Sequence, residues 1–231
     1  MQDILIDIAN MRKDYPTGES WFTALRDITL QFKTGEFAGI VGPSGSGKTT
    51  LLNIIGSLDV QTEGEVTVLG KRVRDLTHRQ SASLRSRELG FIFQTYNLLP
   101  VYRVYENVEF PLLLLTMTEA QRRQAVLDAL NWVGLSEKVK SRPAQLSGGE
   151  CQRVAIARAM VKHPKIVLAD EPTANLDTEN SHHVLDTMRT INQELGTTFI
   201  FSTHDQKVIN YLRRIITLVD GKVVSDKANG G

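Results

Sequence analysis

The 231-residue chain has a single cysteine, Cys151, so no internal disulfide can hold it together. One thiol fits a reducing compartment, and the plainer reading of Cys151 is a small residue packed in a helix rather than a redox centre. Long apolar runs are missing as well. The longest, FPLLLL at 110 to 115, is far short of the ~20 residues that span a bilayer. Any role at a membrane therefore needs another chain to do the crossing. Charge of one sign is also lacking, because 27 Lys plus Arg nearly cancel 26 Asp plus Glu and the basic residues are scattered. With no basic stripe to track a phosphate backbone, no nucleic-acid partner is expected. No internal repeat, low-complexity tract or linker interrupts the chain, and only the tail DKANGG at 226 to 231 is expected to fray. The amino-terminal MQDILIDIANMRK alternates Ile4, Ile6 and Ile8 with acidic residues, a strand pattern and not a secretory signal.

What is present is an ordinary globular balance, 41% hydrophobic and 23% charged, at a length suited to one large domain. Four short apolar runs share a feature: FAGIVG (37 to 42), FIFQ (91 to 94), IVLADE (166 to 171) and FIFSTH (199 to 204) each end in glycine or polar residues. Buried parallel strands have this look, and ligands of open α/β sheets gather beyond the strands' carboxyl ends. The four ends are expected to converge on one site. Helical patterns start at Gly47, Thr118, Gly149 and Thr178, and strand alternating with helix implies an α/β fold with a mainly parallel sheet. Residues 1 to 35 and 64 to 74 are expected to be antiparallel strands with turns at KTGE and LGKR, and 95 to 163 to be mainly helical. This organises 1 to 231 as one domain: a nucleotide-binding core, a small β lobe and an inserted helical lobe.

The strongest local signal is GPSGSGKT, Gly42 to Thr49, lying between a strand and a helix as a phosphate-binding P-loop requires. Its glycines let backbone N–H groups turn inward around phosphates, and the following helix start adds partial positive charge. Gly42, Pro43, Ser44, Gly45, Ser46, Gly47, Lys48, Thr49 and the adjoining Thr50 are the candidate nucleotide contacts. Lys48 is suited to the β- and γ-phosphates and Thr49 to Mg²⁺. Asp170, at the end of an apolar run, is the second candidate Mg²⁺ holder, and Glu171 the base that takes a proton from the attacking water. His204 ends another such run and is placed to orient that water at the γ-phosphate.

A second phosphate-like signal, LSGGE at 146 to 150, has two readings. Ser147 and Glu150 make a capping box for the next helix. Capping leaves Gly148 and Gly149 unexplained, since each costs up to ~1 kcal/mol relative to Ala in a helix. Paired glycines suit a backbone that must be approached closely, and the chain's own nucleotide is already held by the P-loop. The nucleotide of a second subunit is the remaining candidate.

These motifs resemble the ATP-binding-cassette ATPases, in that family's order and over nearly the whole chain. The resemblance implies a P-loop NTPase core with an antiparallel β subdomain and an inserted helical subdomain, at about 95 to 163. It implies a head-to-tail homodimer with two ATPs between the subunits, in which Ser147, Gly148 and Gly149 complete the partner's site. Glu150 stands there in place of the commoner Gln, at adenine or ribose. Tyr15 matches the aromatic that stacks on adenine, and Gln94 the glutamine that senses Mg²⁺ and the γ-phosphate. Thr49, Gln94 and Asp170 become the metal set, and Glu171, His204, Lys48 and Gln94 the catalytic one. Asp177 matches an acidic residue that communicates across the dimer.

Wording around the motifs is similar to the lipoprotein-releasing and macrolide-exporter branch. That similarity implies an integral membrane permease as partner, a place on the cytoplasmic face of the inner or plasma membrane, and export, lipoprotein release or mechanotransmission as the output. The short stretch after VDGKVV leaves no appended regulatory domain. Tyr96, Leu98, Leu99 and Tyr102 are the expected docking groove, and Leu112 to Leu115 the expected core of the helical lobe. The competing class is a soluble cassette ATPase of translation, DNA repair or cell division. Such translation and repair factors normally carry two cassettes, a coiled coil or zinc-binding cysteines, and none is in this sequence.

Overall fold

The structure, a computed structural model, describes residues 3–228. Chain order is β1 (Ile4–Thr17), β2 (Ser20–Lys33), β3 (Phe37–Val41), α1 (Lys48–Ile55), β4 (Glu63–Val68), β5 (Lys71–Arg72), α2 (His78–Glu88) and β6 (Leu89–Ile92). There follow α3 (Val104–Glu109), α4 (Glu119–Trp132), α5 (Gly148–Met160), β7 (Ile166–Asp170), α6 (Thr178–Leu195), β8 (Thr198–Thr203), α7 (Gln206–Ile209), β9 (Arg214–Val219) and β10 (Lys222–Ala228).

The strands form two sheets. One is antiparallel, in the order β2-β1-β4-β5; the other runs β10-β9-β3-β8-β7-β6 and is parallel except for the β10/β9 pair. Strands β3, β7 and β8 are apolar on both faces because both faces are covered. Leu51, Leu52, Ile54 and Ile55 of α1 share one core with β1, β2 and β4 of the first sheet and β3, β7 and β8 of the second. Helices α3 to α6 cover the opposite face of the six-stranded sheet in a second core. Thus the helix that starts at the P-loop is wedged between the two sheets.

Expected turns at 34–35 and 69–70 are present, and no strand falls between 95 and 163 among the described residues. Three expectations need correction. The strand placed at 91 to 94 is Leu89–Ile92, with Gln94 beyond its end. Of Leu112 to Leu115, Leu112 is buried and Leu115 partly so, but Leu113 and Leu114 are exposed because a 3-10 turn over Phe110–Leu114 turns them outward. Within the tail, Asp226 to Ala228 belong to β10, clamped by a two-point ion pair from Arg214 Nε and Nη2 to Asp226 at 2.8 and 2.7 Å. The rest of the tail, 229 to 231, lies outside the described residues. Cys151 packs in α5, nearly covered, with Sγ 3.6 Å from the Pro143 carbonyl oxygen.

Candidate functional site

Side chains from the ends of β3, β6, β7 and β8 meet in one open pocket, whose floor is the P-loop and whose rim carries Gln94, Asp170, Glu171 and His204. Neighbouring parallel strands with aligned carboxyl ends make this geometric necessity. Gly42 leaves β3 so close to Leu218 that an added Cβ would lie 2.0 Å from its carbonyl oxygen. Gly47 caps α1 at φ 101°, a left-handed conformation that a side chain would strain. The first turn of α1 carries no acidic residue, so its free N–H groups face the pocket uncompensated, which suits an anion. Lys48 Nζ donates to the carbonyl oxygens of Gly42 at 2.8 Å and Pro43 at 2.9 Å, keeping its ammonium against the loop.

Thr49 Oγ1 donates to Asp170 Oδ2 at 3.1 Å, joining the first turn of α1 to the end of β7. Hydroxyl, carboxylate and the nearby Gln94 amide are an all-oxygen donor set, the chemistry a small hard cation such as Mg²⁺ takes. Glu171 follows Asp170 with φ 46°, an uncommon conformation for a residue with a side chain. That twist is fixed by its N–H, which donates to the Ser202 carbonyl at 2.9 Å. The two neighbouring carboxylates therefore take different partners, Asp170 on α1 and Glu171 at the end of β8. Glu171 Oε2 accepts from Thr203 Oγ1 at 3.1 Å and its Oε1 lies 2.6 Å from His204 Nδ1. His204 itself is two-thirds exposed, at 67% of its side chain, and is free to face a ligand.

Tyr15 stands at the pocket's other end. Its hydroxyl donates to Asp59 Oδ2 at 2.7 Å, and Lys13 Nζ donates to Asp59 Oδ1 at 2.6 Å and to the Val60 carbonyl at 2.7 Å. Lys13 Nζ also lies 4.7 Å from the Tyr15 ring centre. Burial and the Asp59 carboxylate raise the Tyr15 hydroxyl pKa, so the ring stays neutral. Burial opposes ionisation of Asp59, but the hydrogen bonds from Lys13 and Tyr15 outweigh it and hold Asp59 below the usual carboxylate range. Phe22, opposite Tyr15 in the β1/β2 register, also lines the pocket, with Ala24 and Ser202. No local pattern marks Phe22 and Ala24, which only the strand register brings there, whereas Ser202 belongs to the FIFSTH run whose end is expected at the site. For Lys13 and Asp59, 46 residues apart, the fold alone makes the contact.

Ser147 to Glu150 are not in this pocket. Ser147 Oγ accepts from the Glu150 N–H at 3.2 Å and Glu150 Oε2 accepts from the Ser147 N–H at 2.8 Å, so the capping box is real. The Ser147 N–H holds the Glu150 carboxyl below its ordinary range, helped by Lys138 at 3.1 Å. Gly148 is exposed, whereas Gly149 is buried, and a Cβ on it would lie 2.2 Å from Asn180 Oδ1. One of the paired glycines thus has a packing reason within its own chain. Asp177 caps α6 by accepting from the Asn180 N–H at 2.8 Å and from its Nδ2 at 2.7 Å.

With this geometry in place, a protein-family profile described as ABC transporter matches residues 25–174, well over half of the chain. The chain belongs to the ABC transporter family. It is 43% identical over 225 residues to the macrolide export ATP-binding/permease protein MacB of Burkholderia pseudomallei, covering 97% of this chain and 34% of that protein. The chain therefore spans about a third of the length of that relative. It is 41% identical to the lipoprotein-releasing system ATP-binding protein LolD of Francisella tularensis, over 96% of this chain and 97% of that one. Among solved structures, it matches a dimeric post-hydrolysis state of the ATP-binding cassette MJ0796 of Methanocaldococcus jannaschii, bound to ADP and Pi. That match has a TM-score of 0.89 and 41% identity, over 98% of this chain and 99% of the other. The ABC cassette fold follows from these similarities.

Proposed function

We propose that this chain is the ATP-hydrolysing subunit of a membrane ABC transporter of the lipoprotein-releasing and macrolide-exporter kind, working as a head-to-tail homodimer around two ATPs. The observation that carries this reading is the meeting of P-loop, Thr49–Asp170 pair and Glu171–His204 pair in one pocket. Adenine stacks on Tyr15, whose orientation Asp59 fixes. The P-loop N–H groups of residues 42 to 50 and Lys48 bind the β- and γ-phosphates, with Lys48 exchanging its carbonyl partners for phosphate oxygens. Thr49, Asp170 and Gln94 would hold Mg²⁺, which supplies neutralisation of charge developing on the phosphates. Glu171 takes the proton of the attacking water, and His204 shares the Glu171 carboxylate and orients that water. Ser147 and the exposed Gly148, with Glu150 behind them, present the start of α5 to the partner copy's ATP.

No helix of the described residues is long and apolar enough to cross a membrane. In this reading the chain works on the cytoplasmic face through a permease, on the scale of the permease part that MacB carries in its own chain. The groove lined by Phe91, Phe93, Phe110, Pro111 and Leu114 is the seat for a cytoplasmic helix of that permease. Of the residues expected from sequence, Tyr102 is exposed as a docking residue requires, whereas Leu98 packs on the helical core and Tyr96 abuts Gly148. The domain is then a single cassette over 1 to 231 with its helical part inserted at about 95 to 163. Phosphate release by the wild type and by Glu171→Gln tests the chemistry: a loss of ~10² to 10⁴-fold is expected for a removed general base, and equal rates would refute the role of Glu171.

A further inference from the structure

Arg158 lies near the end of α5, partly buried, and has no carboxylate within ion-pair distance among the described residues. Burial pushes its guanidinium below its ordinary pKa with nothing acidic to offset it. Desolvating a charge without a counter-ion is costly, so its remaining partners matter. Both are backbone: Nη2 donates to the Tyr96 carbonyl at 2.6 Å and Nη1 to the Asn97 carbonyl at 2.5 Å. These two consecutive residues have φ of 57° and 51°, left-handed for side-chain-bearing residues. A planar fork closing on two adjacent carbonyls fixes their relative orientation, which a lysine's single ammonium does not. The gripped residues lie two and three positions beyond Gln94, whose own carbonyl accepts from Asn175 Nδ2 at 2.9 Å.

The other end of α5 is Ser147, 11 residues earlier and so about 16 Å away along a continuous helix. We infer that Arg158 is a positioning residue that fastens α5 to the strand-exit loop of Gln94, so that a shift of Gln94 at the γ-phosphate displaces the α5 start facing the partner's nucleotide. This rests on the ATPase reading above. It assigns to this side chain a part in the coupling between the nucleotide a chain binds and the face it offers to its neighbour, beside the direct approach of the Tyr96 hydroxyl to Gly148.

The test compares wild type, Arg158→Met and Arg158→Lys, each checked for folding by thermal unfolding. Lysine keeps the charge and serves if the methionine variant does not fold. Hydrogen exchange is followed at 95 to 102 and at 147 to 152, with and without Mg-ATP. In wild type both segments should respond to nucleotide together. In the variants the first should still respond and the second at most half as much as in wild type, while kcat falls about tenfold and KM changes less than twofold. Combined with Gln94→Ala, Arg158→Met should add little further loss, since two groups acting in series are not additive. Additive losses, or a 147 to 152 response that survives undiminished in a folded variant, would overturn the assignment. A wild type that neither binds nor hydrolyses ATP would defeat the ATPase reading and this one with it, whereas normal turnover in all variants defeats this one alone.

Discussion

Lys162 shows how a single side chain can tie the stability of this fold to pH. Its Nζ is held at 2.5 Å from the Arg85 carbonyl beside the apolar groove of Phe91 and Phe110, and burial lowers its pKa from 10.5 to about 8, against a smaller pull upward from Glu88. A folded-state pKa below the unfolded one means that the unfolded chain binds more protons between those values. Stability therefore rises as pH climbs from about 8 towards 10.5, and the desolvation cost is fully present below about 8. Between pH 7 and 9.5 the wild type should gain about 2 kcal/mol relative to Lys162→Met, which has nothing to titrate there. Urea unfolding of both chains across that range measures the difference, and parallel curves would show that Lys162 titrates normally. Other site residues were legible for a different reason. Asp170, Glu171 and His204 sit at strand ends whose apolar runs are visible in one dimension, and Lys48 and Thr49 belong to the glycine pattern between β3 and α1. Lys13, Asp59 and Phe22 reach the pocket only through the pairing of β1 with β2 and the packing of β1 beside the α1–β4 connection, which no local pattern encodes.

At the scale of elements, the start of α5 depends on its neighbour α6. Replacing a glycine with alanine inside a helix ordinarily gains up to about 1 kcal/mol. Here the new Cβ of Gly149→Ala would meet Asn180, the residue whose N–H and amide complete the Asp177 cap of α6. The expected sign is reversed: Gly149→Ala destabilises by about 1 kcal/mol, the usual worth of a lost cap, and Asn180→Ala, which leaves only its own Cβ at 3.0 Å, should remove most of that penalty. Equilibrium unfolding of the two single variants and the double one decides it, and a stabilising Gly149→Ala on its own would show that Asn180 simply steps aside. Elements that the sequence concealed share a physical character. Helix α2 buries only Leu84 and so has no apolar stripe to announce it. Strand β10 is an edge strand with largely exposed side chains, fixed by the Arg214 ion pairs to Asp226 and Glu36 rather than by burial. The shift of β6 by two residues has the same origin, since Phe91 and Phe93 are only half-buried and face the groove instead of the core.

For the whole molecule, the exposed Gly148 and the capping Ser147 lie outside the chain's own pocket, which in the proposed sandwich leaves them for a second copy. Glu171→Gln, which should retain ATP, is expected to pass from monomer to dimer on adding Mg-ATP, and to become more heat-stable as protein concentration rises. Size-exclusion chromatography with light scattering reads this directly, and a monomer at every ATP concentration would rule out the sandwich. The single thiol makes a finer measurement possible. Cys151 is nearly covered, and burial raises its pKa, so it is a poor nucleophile near neutral pH. A cysteine introduced at an exposed position such as Trp21 would then be the only fast-reacting one, without removing the native residue. Each copy would carry one spin label or fluorophore at one known place, and the spacing between the two labels would follow the opening and closing of the pair in real time.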